Sequence, residues 1–309
     1  MGYVADRHYY QTERPLWCFQ DRQGKVVMGG YVEGIIAILC INLIFAYGVF
    51  LTAASGQLNL GGAGFQAIGA YVAGVCSNSL GFPIFFSVIG AVLGAGLIGF
   101  LISFPVLRTR GVYMVLATFA FALVVSGIIL NTDFLGGATG MVVTAYTPVE
   151  VLILATLLTI LLVFWLMASR IGLVMRAVHD DDVVAEIMGV NVRGVQVFAF
   201  TVGGALAGLS GALYAHHYSF IEAQYFSALL SIFVLLFVLI GGTQTAWGPL
   251  FGASFFTLVP EVLRLGDTEW RYVIFGILIV LMMIFRPEGI ITRTLVHRVI
   301  MVFSRSGGH

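Results

Sequence analysis

Charge is what this chain lacks most: between Glu33 and Arg108 there is not one Asp, Glu, Lys or Arg, and charged side chains make up only 10% of all 309 residues. A typical soluble domain carries roughly a quarter. An ionised group at the centre of a bilayer costs at least ~2.5 kcal/mol, so the charge-free stretch excludes a water-soluble domain and places the chain in lipid. Lysine is almost missing, Lys25 being the only one. A nucleotide-binding P-loop needs a glycine, four residues, then Gly-Lys followed by Ser or Thr. Here Gly24-Lys25 precedes Val26, and Phe19 stands where the first glycine belongs, so the chain does not hydrolyse ATP by itself. The three cysteines, Cys18, Cys40 and Cys76, have no paired spacing and offer neither a disulfide nor a metal framework. There is no His-Glu-x-x-His, and no pair of carboxylates inside a span to relay protons. Nothing resembles a cleaved signal peptide: the first apolar stretch begins near Tyr31, after a segment rich in aromatics and mixed charge. Tyr9, Tyr10, Trp17 and Phe19 make that segment either interfacial or a solvated arm.

What remains is apolar. A bilayer core ~30 Å thick takes about 20 helical residues to cross, so the intervals between charges convert into spans. These run Ile35 to Thr52, Leu58 to Cys76, Ile84 to Val106, Val112 to Leu130, Val151 to Met167, Val195 to Ala215, Phe226 to Ile240, Pro249 to Leu263 and Tyr272 to Phe285. The fold class is therefore all-α, a polytopic transmembrane bundle of about 8–10 spans with a Gly-rich segment, broken or re-entrant, after Ser55-Gly56-Gln57. Residues 1–30 form an N-terminal segment, 31–289 the membrane domain, and 290–309 a basic tail.

Arginine sets the orientation, because short cytoplasmic loops retain positive charge. Arg108 with Arg110, then Arg170, Arg176 and Arg193, then the tail from Arg286 onward fall on one side of the expected spans, and the connections 131–148, 216–225 and 266–271 fall on the other. The first side, with segment 169–193 and the C-terminus, is assigned to the cytoplasm. The N-terminus is outside if Leu58 to Cys76 crosses fully, and inside if that segment is re-entrant.

Two polar patterns invite a functional reading. Gly208-Leu209-Ser210-Gly211 with His216 and His217 has the look of an intramembrane serine protease. At ~100° and 1.5 Å per residue, however, His217 stands ~10 Å along the axis from Ser210 and His216 points away, whereas a serine and its base must approach to about 3 Å. The same segment carries Gly204, Gly208 and Ala212 beside Gly203, Ala207 and Gly211, rows of small residues that let helices pack closely in lipid. The second pattern runs from Arg176 through Asp180, Asp181, Asp182 and Glu186 to Gly189 and Asn191. Asp180 or Asp181 can cap a helix, acids favour its first turn, and Gly189 can close it in a left-handed conformation. Val183, Val184, Ile187 and Met188 then form an apolar stripe, suited either to a groove on a partner or to the chain's own bundle.

In order and spacing the chain resembles the LivM-type permease subunits of ABC importers for branched-chain and other hydrophobic amino acids, amides and related solutes. The residues that carry the likeness are Ser55-Gly-Gln-Leu-Asn-Leu-Gly61 with Phe65 and Ile68-Gly-Ala-Tyr71, Arg110-Gly-Val-Tyr113, Arg176-Ala177 through Glu186 to Gly189-Val-Asn191, Phe200 through Gly211-Ala-Leu-Tyr214-Ala, and Gly241-Gly242 with Trp247-Gly-Pro249. The resemblance implies a subunit of the bacterial inner membrane that forms half of an alternating-access pore. Its partners would be a second, homologous permease chain, two cytoplasmic ATPase subunits and an extracytoplasmic solute-binding protein, with no nucleic acid. ATP and Mg would sit on the partner subunits and no cofactor on this chain. Ala185, Glu186 and Gly189 match the family's coupling motif, which makes the short helix, with Asp181, Asp182 and Met188, the contact to the ATPase. The chain departs from the family at Gly62-Ala63-Gly64, often His or Gln with a small residue, and at Gln66, often aromatic.

The polar uncharged residues near the Gly-rich break, Gln57, Asn59 and Gln66, with Asn42 and Thr118 on neighbouring spans, are candidates for lining the solute path. The alternative is that they only join helices, by bonds worth ~0.6 kcal/mol each. A stand-alone secondary carrier or channel is the rival function, and an intramembrane protease the third.

Overall fold

In the computed structural model, residues 28–109, 111–262, 276, 277 and 280 are described. The N-terminal segment up to residue 27, most of the ninth expected span and the basic tail lie outside the described residues. Ten α-helices are described: α1 Met28–Ala54, α2 Gly62–Asn78, α3 Ile84–Val106, α4 Val112–Leu130, α5 Val149–Ala168, α6 Arg170–Asp180, α7 Asp182–Ile187, α8 Val192–Tyr218, α9 Ala228–Gly241 and α10 Trp247–Val262. Helices α1, α3, α4, α5 and α8 are long and apolar enough to cross a bilayer. The bounds of α3 and α4 are those expected from the charge gaps. At 1.5 Å per residue, α9 covers roughly 21 Å and α10 roughly 24 Å, less than the ~30 Å hydrocarbon core. They form an antiparallel hairpin, closed where a Cβ on Gly241 or Gly252 would collide with the backbone of Gly248 or Phe237.

Helix α8 is the hub, and its small residues explain why. Gly203 lies against Gly48 of α1, where a Cβ on Gly48 would sit 2.7 Å from the Gly203 carbonyl oxygen. Gly208 meets Ala91 and Ala95 of α3 and the backbone of Gly69 of α2, and Gly211 meets the Gln66 carbonyl of α2. Lipid tails are as apolar as leucine, so no hydrophobic force drives helices together within the bilayer; close van der Waals packing does, and small residues permit it. Of the rows expected from the sequence, Gly204 and Gly208 face α3 and α2, and Gly203 and Gly211 face α1 and α2.

Two groups of connections mark the two faces of the bundle. On one, the strand Met141–Val142 (β1) pairs antiparallel with Phe220–Ile221 (β2), and Asn78 at the end of α2 bonds to Val142 and Thr144. The other holds the end of α1, the α3–α4 turn and α6–α7, which meet around one cavity or by direct contact. The early part of α1, Ala37 to Ile44, packs with Leu152 and Leu213, which lie toward the β1–β2 face. The chain between α1 and the end of α2 therefore passes from one face to the other, and α1 begins on the β1–β2 side.

Sequence and structure differ at two elements. Helix α2 starts at Gly62 rather than Leu58, because 57–61 is non-helical. Segment 170–180, expected only as part of a loop, is an 11-residue helix. Its Gly172, Met175 and Val178 are buried at three-residue spacing, the period of a helix lying on a surface.

Candidate functional site: a helix break and the short helix beside it

Helix α1 ends in a tight turn, with the Ser55 and Gly56 N–H groups donating to Thr52 and Ala53 carbonyls at 3.2 and 3.0 Å. Gly56 takes φ +80, a conformation other residues adopt only at a cost. The non-helical stretch that follows is buried at Gln57, Asn59 and Gly61, and an unpaired backbone N–H inside the bundle would cost several kcal/mol. Side chains from α4, α9 and the stretch itself satisfy it and the first turn of α2. The Leu60 N–H donates to Thr118 Oγ1 of α4 at 3.0 Å, the Gly61 N–H to Asn59 Oδ1 at 2.7 Å, and the Ala63 N–H to Ser231 Oγ of α9 at 2.7 Å. The first N–H groups of any helix lack an internal partner, and here the bundle supplies them.

The structure thus separates the five candidate path residues. Asn59 and Thr118 hold the break's backbone. Asn42 donates to Thr257 Oγ1 at 3.3 Å and ties α1 to α10. Gln57 and Gln66 are 2% and 3% exposed; neither amide atom of Gln57 has a partner, and the Gln66 oxygen has none. Sequence reasoning missed Ser231. The signal was there, a lone hydroxyl in the apolar run of α9, but nothing linear connects it to Ala63.

Beside the break stands α7. The Asp181 carboxylate accepts from the Val183 and Val184 N–H groups at 2.9 and 3.0 Å, an N-cap. At the other end the Val190 N–H returns to the Ala185 carbonyl and the Gly189 N–H to that of Glu186, with Gly189 at φ +85. That is a Schellman closure, the reason a glycine is needed there. Both caps expected from the sequence are formed. Ala185 is buried at 4% exposure, while Ile187 and Met188 are each 78% exposed, with Val183 and Val184 near half. The apolar stripe therefore faces away from the bundle, and among the six coupling candidates Ala185 turns inward.

The helix is tied to the break through α6. Arg176 donates to the Gly172 and Met167 carbonyls at 3.1 and 3.0 Å, fixing the α5–α6 corner. His179 Nδ1 lies 3.0 Å from the Ala53 carbonyl oxygen, and Gly56 lies against the His179 backbone. A cavity of about 1080 Å³ opens between the break, the α3–α4 turn and α7–α8, lined among others by Gln57, Arg108, Asp182, Glu186 and Arg193.

The histidines near Ser210 do other work. His216 Nδ1 lies 3.1 Å from the Ala145 carbonyl oxygen and His217 Nδ1 3.0 Å from that of Thr147. Both clasp the 131–148 connection to the end of α8, and Ser210 is fully buried with no partner for its hydroxyl.

Compared with known proteins, the family described as the permease component of branched-chain amino acid transport systems matches residues 31–283. The chain belongs to that family. The permease is 29% identical over 315 residues to the high-affinity branched-chain amino acid transport system permease protein LivM of Escherichia coli, covering 90% of this chain and 72% of that one. It is equally similar, over 317 residues, to LivM of Salmonella typhimurium. With the probable permease LivH of Methanocaldococcus jannaschii it shares 27% over 246 residues, 72% of this chain and 76% of the other. No solved structure matches it. The permease is a multi-pass integral membrane protein and a permease subunit of an ABC importer.

Proposed function

We propose that this permease forms half of the path by which a branched-chain amino acid, or a related small amphipathic solute, enters a bacterial cell across the inner membrane. A second homologous permease chain supplies the other half, an extracytoplasmic binding protein delivers the solute at the β1–β2 face, and two ATPase subunits on the cytoplasmic side grip α7. ATP and Mg belong to those subunits. The observation that carries this reading is the exposed stripe of Val183, Val184, Ile187 and Met188 on a helix capped at both ends. An apolar face this exposed, on a segment too short and charged to enter lipid, fits a groove on another protein. Its attachment through α6 to Ala53 gives a push on α7 a short route to the break, where the Gln57 amide is unpaired.

Replacing Met188→Glu or Ile187→Glu tests this. Both positions are largely exposed, so stability should change by under ~0.5 kcal/mol, while recruitment of the ATPase and solute-stimulated hydrolysis should fall together. Unaltered recruitment and hydrolysis in both variants would remove α7 from this role.

A further inference from the structure

The cavity beside α7 is built like a small-molecule site. Its volume of about 1080 Å³ matches ligand clefts, which run to roughly 1,000 Å³, and its walls carry both signs of charge. Arg108 comes from the α3–α4 turn, Glu186 from α7 and Arg193 from the first turn of α8, all three exposed. Gln57 lines the same space from the break, 2% exposed and with both amide atoms unpartnered. A buried polar group left unpaired is costly, and a polar occupant that reaches it removes that cost.

We propose that this cavity binds a free α-amino acid as its zwitterion, the carboxylate toward Arg108 and Arg193 and the ammonium toward Glu186, with the Gln57 amide, buried and unpartnered where it now lies, turning in to complete its hydrogen bonds. Arginine suits a carboxylate because its planar fork donates two parallel bonds. The inference rests on the importer reading, under which the α7 face is cytoplasmic. An amino acid reaching this cavity has then already been delivered. It bridges the break, the α3–α4 turn and the grip helix, so it favours the one arrangement in which the three surround it, as any ligand shifts an equilibrium toward the state it binds better. Internal amino acid therefore slows the transport cycle.

The test is equilibrium binding of radiolabelled L-leucine to the full chain in lipid nanodiscs. Leucinamide, which lacks the carboxylate, and 4-methylpentanoate, which lacks the ammonium, should each compete at least about tenfold less well than leucine, and Arg193→Gln should weaken leucine binding about tenfold. In proteoliposomes holding the assembled importer, leucine preloaded on the α7 side should slow ATP-driven uptake by the unmodified chain but not by Arg193→Gln. Leucinamide competing as well as leucine, or unchanged binding in both Arg193→Gln and Arg108→Gln, overturns the proposal. So does displacement of leucine by the ATPase subunits, which would make the cavity part of their docking surface. ATP-driven uptake that proceeds normally without leucine binding or internal inhibition sinks this inference alone. Absence of any ATP-driven uptake with the partner chains sinks the importer reading beneath it.

Discussion

Helices α8 and α4 are both long and uncharged within the bilayer, yet the more hydropathic of the two is the less buried. In the most apolar stretch of α8, 61% of residues are inside the protein, against 28% in α4, although α4 has the higher hydropathy. In water the order would be reversed. In lipid, apolarity only admits a helix to the membrane, and what lets α8 pack closely on its neighbours is its small side chains. Helix α8 carries Gly203, Gly204, Gly208 and Gly211 against three other helices, whereas α4 turns Leu116, Leu123, Val124 and Ile128 outward.

The sharpest way to break that contrast is Gly211→Val. Its Cβ would meet the Gln66 carbonyl, a backbone atom that cannot swing aside, and the expected result is loss of monodisperse protein on size-exclusion chromatography, at or above the 1–3 kcal/mol usual for overpacking. Next comes Thr118→Val, where α4 reaches inward to serve the break. Removing its hydroxyl leaves the Leu60 N–H unpaired and should cost about 1–3 kcal/mol in thermal unfolding, as should Ser231→Ala through Ala63. The smallest effect, and of opposite sign, is expected at Gly127 of α4, where a Cβ meets nothing within 4 Å. Gly127→Ala should raise stability by about 0.5–1 kcal/mol. Equal destabilisation by the alanine at 127 and the valine at 211 would remove the distinction between hub and rim.

The spans were legible in the sequence because charge is expensive in lipid: Arg108 and Arg110 separate the two runs in the chain, and α3 and α4 keep the same bounds in the fold. The caps of α7 were legible too, since Asp181 and Gly189 act on backbone within a few residues of themselves. The function of Thr118 and Ser231 was not, because their partners lie 58 and 168 residues away. The approach of α4 to the break is set by Gly61 and Gly64, which lie against Thr118, Phe121 and Ala122, contacts that no local pattern displays. Helix α6 was missed for a related reason: its buried face exists only once α1 supplies the surface, through Ala53 and Gly56.

The most direct test of the account is photocrosslinking from two exposed apolar positions of equal chemistry, Ile187 on α7 and Leu157 on α5, each replaced by benzoylphenylalanine in the assembled importer. Position 187 should give a covalent adduct to an ATPase subunit and position 157 none. An ATPase adduct from position 157, or none from 187, would contradict it.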